Sequence, residues 1–276
     1  MMMNTPAQIA ENYVGVGKAK VNLPIVKMFV LAIMAGAFIA FGGVGSSTAA
    51  VGVVPASVGR LISGCIFPGG LTLVLLAGSE LFTGNCLLSI PLLTRDISIF
   101  QLLKNWIVVY LGNMVGGMLV ALGLTYSGQF DMFGGQMAVS VFSTAASKCT
   151  LSFSDAFIKG IFCNILVCLG VWLAFAAKNA AGKVICLFFP ILIFVICGFE
   201  HCVANMYYIT AGLFGKNIPS YVAAATEAGI NLDVITWKNF FITNLIPVTL
   251  GNIVGGAVCI GLVYWFVYLR KGKNNG

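Results

Sequence analysis

Apolar residues fill six long stretches of the chain, and polar residues are concentrated in the segments between them. The stretches cover residues 24–54, 58–94, 101–126, 151–177, 183–214 and 238–269. A helix needs about 20 residues to cross the hydrocarbon layer of a bilayer, so each stretch is long enough to span a membrane. The pattern predicts an all-α integral membrane protein with six transmembrane helices.

The second and fifth stretches are longer than one crossing requires, and both contain residues that interrupt helices. These residues are Pro68-Gly69-Gly70, Gly78, Gly84 and Pro91 in the second stretch, and Pro190, Gly198 and Gly212 in the fifth. We therefore expect each stretch to form two half-helices joined by unwound backbone. Such backbone is stable at membrane depth only where it is buried in protein or lines a cavity.

Two motifs occur once in each half of the chain. Residues 111–117 read Leu-Gly-Asn-Met-Val-Gly-Gly, and residues 250–256 read Leu-Gly-Asn-Ile-Val-Gly-Gly. Residues 78–85 and 198–205 both fit Gly-x-Glu-x4-Asn. Because three spans is an odd number, the second half must enter the membrane from the opposite side. The motifs predict a three-plus-three inverted repeat, which places the two broken helices together near the bilayer midplane.

The composition agrees with a membrane protein, since 59% of the residues are hydrophobic and only 8% are charged. A soluble domain carries roughly 25% charged residues. No polar linker divides the chain, so we expect one channel domain over residues 23–269, with repeat one at 23–126, an outer loop at 127–150 and repeat two at 151–269. Residues 1–22 are too polar for a signal peptide and predict a cytoplasmic amphipathic helix that starts near Pro6. Residues 270–276 form a basic tail.

The net charge of +7 comes from basic residues scattered near span ends, which argues against nucleic-acid binding. If both termini are cytoplasmic, ten of the fifteen basic residues lie inside, as the positive-inside rule expects. The five outside are Arg60, Lys148, Lys159, Lys216 and Lys238. The nine cysteines lie mostly within apolar runs without a Cys-x-x-Cys motif, and one histidine cannot complete a zinc cluster. We expect no metal and no other cofactor.

Carboxylates and amides lie inside both broken stretches. Ionisable residues at membrane depth are costly and mark pathways or binding sites. Glu80 and Glu200 are candidates for a proton relay, but structural support is favoured, because a helix break leaves backbone N–H groups that a carboxylate can accept. We expect Asn85 and Asn205 to complete that support.

Further polar candidates lie in or near the spans. Asn113 and Asn252 either bond across helices and hold the broken segments or line the pore. The only histidine, His201, adjoins a helix break, which indicates a role in the pathway. Thr83 lies near the corresponding place in the other half, where its hydroxyl either donates to an anion or bonds back to its own helix. Lys148 follows a hydroxyl-rich run in the outer loop and is either at a pore mouth or a solvated surface lysine.

Bulky apolar residues in or near the broken spans are candidates for constrictions that exclude water. They are Phe67, Leu71, Leu81, Phe82, Val167 and Phe194. Their spacing alone favours ordinary core packing.

The paired motifs at residues 76–85 (Leu-Ala-Gly-Ser-Glu-Leu-Phe-Thr-Gly-Asn) and 198–206 (Gly-Phe-Glu-His-Cys-Val-Ala-Asn-Met) resemble those of the formate/nitrite transporter family. The resemblance implies an aquaporin-like fold and a homopentamer with one pore in each protomer. It also implies that Lys148 attracts anions and that Asn164 is its polar partner in the fourth span. The implied outer constriction contains Phe67, Leu71 and Phe194, and the implied inner constriction contains Leu81, Phe82 and Val167.

We therefore expect a channel in a bacterial inner membrane that passes small monovalent anions and performs no covalent chemistry. The details look most similar to the hydrosulfide branch of the family, while a formate or nitrite channel and a proton-coupled weak-acid transporter stay open. A water channel is less favoured because the twin Asn-Pro-Ala motif of aquaporins is absent from the sequence. A membrane thiol-redox protein is a remote alternative, since the chain lacks Cys-x-x-Cys.

Overall fold

A computed structural model describes residues 3–270, and these form helices joined by short connections, without a strand. Lys271 and Lys273 of the predicted basic tail lie outside the described residues. The helices are α1 (Pro6–Val21), α2 (Ile25–Ala50), α3 (Ala56–Ile66), α4 (Pro68–Leu76), α5 (Phe82–Asn85), α6 (Ser89–Leu93), α7 (Ile99–Tyr126), α8 (Gln136–Cys149), α9 (Phe153–Ala176), α10 (Ala180–Ile196), α11 (Cys202–Gly215), α12 (Pro219–Glu227), α13 (Ile246–Ile253) and α14 (Val263–Tyr268).

Within the described part of the chain, five helices are long and apolar enough to cross a membrane. They are Ile25–Ala50, Ala56–Leu76, Ile99–Tyr126, Phe153–Ala176 and Asn239–Tyr268. The last contains α13 and α14 together with two π-helical segments, Asn239–Leu245 and Val254–Leu262. The fifth apolar stretch of the sequence is instead divided between α10 and α11. The all-α membrane architecture predicted from the sequence is therefore confirmed.

The two helix breaks lie at corresponding glycines. At Pro68-Gly69-Gly70, one of the predicted interruptions, α3 ends at Ile66 and α4 begins at Pro68, but Phe67 between them keeps helical dihedral angles, so the backbone does not unwind. Pro68 lies in the first turn of α4, where a missing N–H costs little. The chain unwinds instead around Gly78, which has φ +80°. Pro190 likewise lies inside α10, and the break falls around Gly198, with φ +67°. Glycine is favoured at both places because it adopts positive φ without a steric penalty.

Glycines bring the long helices into backbone contact. A Cβ atom on Gly116 of α7 would lie 2.0 Å from the carbonyl oxygen of Ile33 in α2. A Cβ atom on Gly251 of α13 would lie 2.2 Å from the carbonyl oxygen of Phe157 in α9. The small-residue motifs at 112–116 and 251–255 therefore act as helix contacts, which fits their sequence interpretation.

Helices α1 and α8 lie at opposite ends of the bundle. The Asn4 side chain of the segment before α1 donates to the carbonyl of Phe175, at the end of α9, over 2.8 Å. Helix α8 instead leads directly into the start of α9, and it contains residues of the predicted outer loop, 127–150. The polar segments outside the spans thus form helices that cover the two ends of the bundle.

We predict that Gly116→Ala destabilises the protein by about 1–3 kcal/mol, because the added methyl group forces α2 and α7 apart. Thermal unfolding of the detergent-solubilised protein measures the effect. Gly123→Ala is the matched control on the same helix, since no atom lies within 4 Å of the Cβ position there. Equal midpoints for the two variants would contradict the proposed contact.

Candidate functional site

Four polar residues form a cluster at the first helix break. The ammonium group of Lys20 donates to Glu80 Oε1 over 2.9 Å, and the Asn85 amide donates to Glu80 Oε2 over 2.7 Å. The same amide donates to Asn105 Oδ1 over 2.9 Å. We call Lys20, Glu80, Asn85 and Asn105 the Lys20 cluster.

A cluster of the same composition lies at the second break. The Lys148 ammonium donates to both carboxylate oxygens of Glu200, over 2.9 and 3.0 Å. The Asn205 amide donates to Glu200 over 2.7 Å and to Asn244 over 2.8 Å. The Asn244 amide in turn donates to the carbonyl of Lys148 over 3.0 Å. We call Lys148, Glu200, Asn205 and Asn244 the Lys148 cluster; Lys148 is therefore not a solvated surface lysine.

Sequence reasoning missed Lys20, Asn105 and Asn244. The two asparagines carry a signal, because each stands six residues before the repeated Leu-Gly-Asn motif of its half. Lys20 carries no such signal, since it lies in the N-terminal segment before the repeat begins.

Asn113 holds the backbone of the first break. Its Oδ1 accepts the N–H of Phe82 over 2.9 Å. Its amide group donates to the carbonyls of Ala32 and Glu80, over 2.7 and 2.9 Å. One buried side chain thus pairs with two backbone groups of the unwound segment, the Phe82 N–H and the Glu80 carbonyl, and ties them to a carbonyl of the intact helix α2.

Asn252 makes the matching three bonds at the second break, with the N–H of Cys202 and the carbonyls of Gly160 and Glu200, over 2.9, 2.8 and 2.9 Å. The expectation that the carboxylates accept the exposed N–H groups is therefore wrong. Amides do so because an amide both donates and accepts, and the break presents both kinds of backbone group. The carboxylates bond to lysine and asparagine side chains instead.

His201 and Thr83 meet in the interior, between the two breaks. The His201 side chain is at the N-terminus of α11, where Nδ1 accepts the N–H of Ala204 over 3.0 Å. An amide can only donate, so a neutral imidazole in this position carries its proton on Nε2. Nε2 lies 2.8 Å from Thr83 Oγ1 and therefore donates to it. Thr83 contacts His201 instead of bonding back to its own helix, and its own hydroxyl hydrogen stays available.

Asn164 fixes the backbone next to this pair. Its amide donates to the carbonyl of Thr83 over 3.2 Å and to the carbonyl of Asn252 over 2.7 Å. The residue in the first half that corresponds to His201 is Leu81, because both immediately precede the helix that follows their break, and Thr83 lies two residues further along. The hydrogen bonds of Asn164 thus tie the first break to α13, whereas the Lys148 ammonium bonds to Glu200.

A narrow, partly open chamber with about 200 Å³ of empty space adjoins His201. Its lining consists of Ile39, Phe67, Leu71, Leu81, Val167, Ile191, Phe194 and His201. A second cavity, of about 350 Å³, extends towards α1 and is lined by residues that include Tyr13, Lys20 and Asn85. Leu71 and Leu81 line both cavities, so their side chains separate the two.

Five of the six predicted constriction residues line the chamber: Phe67, Leu71, Leu81, Val167 and Phe194. The rings of Phe67 and Phe194 pack edge to face, with centroids 5.4 Å apart. Phe82 is the exception and lines neither cavity. Its ring packs behind the break against Tyr110 and Trp106, with centroid distances of 5.0 and 6.0 Å, because its N–H points to Asn113 and turns the side chain towards α7.

Comparison with known proteins identifies a common family. The family model described as "Formate/nitrite transporter" matches residues 7–266. A "Probable formate transporter" of Methanothermobacter thermautotrophicus is 38% identical, over 97% of this chain and 98% of that protein. "Formate channel FocA" of Escherichia coli (strain K12) is 36% identical, over 98% of this chain and 96% of that protein.

Two solved structures share the fold. One is titled "Pentameric formate channel with formate bound" and has a TM-score of 0.79 and 38% sequence identity to this chain. The match covers 89% of this chain and 98% of the chain of that structure. The other, titled "FNT family ion channel", has a TM-score of 0.80 and 32% identity and covers 95% of this chain and 98% of its own. Because the family model matches nearly the whole length of this chain, the chain belongs to the formate/nitrite transporter family.

Proposed function

We propose that this protein conducts small monovalent carboxylate-like anions, formate first, through the chamber beside His201. The carrying observation is the apolar chamber with one polar contact, the His201–Thr83 pair, between the Lys20 and Lys148 clusters. The relatives reported above are described as formate transporters or channels, so formate takes precedence over hydrosulfide, which the sequence details favoured. Nitrite and hydrosulfide are the other candidates.

Desolvation is the physical problem that such a pathway must solve. An isolated ion in a low-dielectric interior costs on the order of tens of kcal/mol before compensation. In the chamber, Leu81, Phe67 and Phe194 supply no hydrogen bonds, so compensation comes from the adjoining His201–Thr83 pair. Nε2–H of His201 donates to Thr83 Oγ1, which leaves the hydroxyl hydrogen of Thr83 for the anion. The pair is neutral, and this suits conduction, because a permanently charged group would hold the anion too tightly to release it.

The bond from Ala204 also limits the proton chemistry of His201. A second proton on the imidazole would have to go to Nδ1, which already accepts the Ala204 N–H. Protonation would therefore cost this capping bond and bring two hydrogens together. We infer that His201 acts as a hydrogen-bond donor, and that an anion which crosses as its neutral acid takes its proton from elsewhere.

We also propose the assembly and the orientation that the sequence predicts. The protein is a homopentamer in a bacterial inner membrane, with one pathway in each protomer. Residues 1–22 and 270–276, which precede and follow the membrane domain 23–269 in the sequence, are both cytoplasmic. The Lys20 cluster therefore faces the cytoplasm, and the Lys148 cluster faces outwards. The distribution of basic residues and the pentameric solved relative support this arrangement.

The central prediction is that purified protein in liposomes passes formate and nitrite, passes hydrosulfide and chloride more slowly, and excludes glycerol. Uptake of each solute at two pH values is the measurement. Light scattering with the detergent mass subtracted checks that the reconstituted protein is pentameric. Glycerol uptake equal to formate uptake would sink the anion proposal, and a preference for hydrosulfide would replace formate as the substrate.

The Lys148–Glu200 pair is predicted to stabilise the second break as a unit. Lys148→Met leaves the Glu200 carboxylate, whose side chain is only 7% exposed, without its lysine partner. Losing one partner of a buried ion pair costs about 3–5 kcal/mol of stability. We expect a lower unfolding temperature and less pentamer. Lys148→Met combined with Glu200→Gln should recover much of both, because the glutamine oxygen still accepts from Asn205.

The exposed Lys238→Met is the control for this experiment, since it removes a lysine at the same end of the bundle. If Lys148→Met unfolds at the parent temperature, or if the double variant is no better than the single one, the two residues do not act as a stabilising pair.

We predict that formate transport requires a hydrogen-bond donor at position 201 and does not require a group that titrates. His201→Asn keeps an amide donor and a good N-terminal cap and should retain the pH profile of the parent at a reduced rate. His201→Phe removes the donor and should lose about ten- to hundredfold in flux, the value of a hydrogen bond to a charged group. Formate flux from about pH 5 to 9 is the measurement. A changed pH profile in His201→Asn would show that the imidazole titrates during transport.

A further inference from the structure

Arg60 stands at the outer end of the helix face that lines the pathway. Phe67, which joins α3 to α4, keeps helical dihedral angles, so residues seven apart along the two helices lie within about 20° of one line and about 10.5 Å apart along it. Arg60, Phe67 and Val74 have this spacing. Phe67 lines the chamber and Val74 lines the second cavity, so Arg60 occupies the next position along the same line, beyond the chamber.

The guanidinium of Arg60 lies over the second helix break. Its Nη1 atom is 3.4 Å from the place where a Cβ of Gly198 would lie, and its Cζ and Nη2 atoms are 3.9 Å from it. Gly198 is two residues before Glu200 and three before His201. At the other break, no atom lies within 4 Å of the corresponding place at Gly78. A cation that lies against the glycine of the break is therefore found at the second break and not at the first.

The charge of Arg60 is not neutralised by the protein. Over residues 3–270, the salt bridges are Lys18–Asp96, Lys20–Glu80 and Lys148–Glu200. Lys148 is bonded to both oxygens of its carboxylate, so this pair contributes little net charge to the mouth. Arg60 has an exposed side chain and takes part in none of these pairs. The guanidinium of Arg60, which lies against the glycine of the second break, thus has no salt-bridge partner among residues 3–270.

We propose that Arg60 recognises the anion at the mouth beside the Lys148 cluster, and that planar anions with two oxygen atoms, such as formate and nitrite, are its preferred ligands. This rests on the proposed function. A guanidinium offers paired N–H groups in a plane and binds a carboxylate through two parallel hydrogen bonds. Chloride and hydrosulfide have one acceptor atom and cannot take the two parallel hydrogen bonds. Arg60 therefore attracts anions in general and selects among them by shape.

The experiment compares Arg60→Gln, Arg60→Lys and Lys238→Gln in liposomes, with uptake of formate and of chloride at limiting concentration. Lys238→Gln removes one positive charge from an exposed residue at the same end of the bundle, outside the proposed site. Uptake is measured at about 10 mM and about 500 mM salt, since the Debye length falls from about 30 Å at 10 mM to a few ångströms near 1 M. Light scattering confirms that each variant is pentameric.

We expect Arg60→Gln to lower uptake of both anions several-fold at low salt and to approach the parent at high salt. Arg60→Lys should keep the salt dependence and lose the preference for formate over chloride. Lys238→Gln should match the parent throughout. If anion uptake by Arg60→Gln equals that by Lys238→Gln, the proposal is overturned.

Arg60→Lys keeps the proposal testable if Arg60→Gln does not assemble, because an unchanged formate preference in Arg60→Lys would also overturn it. The parent protein separates the two proposals. A parent that passes no anion refutes the proposed function, whereas a parent that conducts formate while its Arg60 variants are unaltered refutes only the role of Arg60.

Discussion

Unwound backbone in the middle of a membrane protein must find hydrogen-bond partners inside the protein, and this requirement determines the arrangement of the polar residues. No water is available in the hydrocarbon region to satisfy exposed N–H and carbonyl groups. Asn113 and Asn252 meet the requirement, because each amide satisfies one backbone donor and two backbone acceptors. The glycines that follow them at 116 and 255 bring the neighbouring helices close enough for these short side chains to reach.

The charged clusters depend on the same breaks. Each glutamate lies within the unwound segment and is neutralised by a lysine from a helix that covers the end of the bundle, α1 for Glu80 and α8 for Glu200. A buried pair of this kind adds little net stability compared with apolar residues, but the loss of one partner is costly. The pairs therefore fix where α1 and α8 dock, and thereby position the walls of the two mouths.

Sequence reasoning reached the parts that follow from local pattern and repetition. The six apolar stretches, the paired glycines at 78 and 198, and the repeated asparagines could all be found in this way. Three features could not. Pro68 was counted with Gly78 among the interruptions, although proline is harmless in a first helical turn and the backbone stays helical there. Phe82 was assigned to the pore because the direction of its side chain depends on Asn113. Lys20 was missed because it lies outside the repeat.

The two halves share their supporting residues and differ in the residues that face the chamber. Leu81 in the first half corresponds to His201 in the second, and Thr83 corresponds to Val203. Because each half supplies a polar group where the other supplies an apolar one, the chamber has one hydrogen-bonding pair instead of two symmetrical sites. Two equivalent sites would hold an anion at both and slow its release, since conduction needs binding weak enough for exit. The symmetrical support thus holds both breaks, while the polar pair between them is built from one residue of each half.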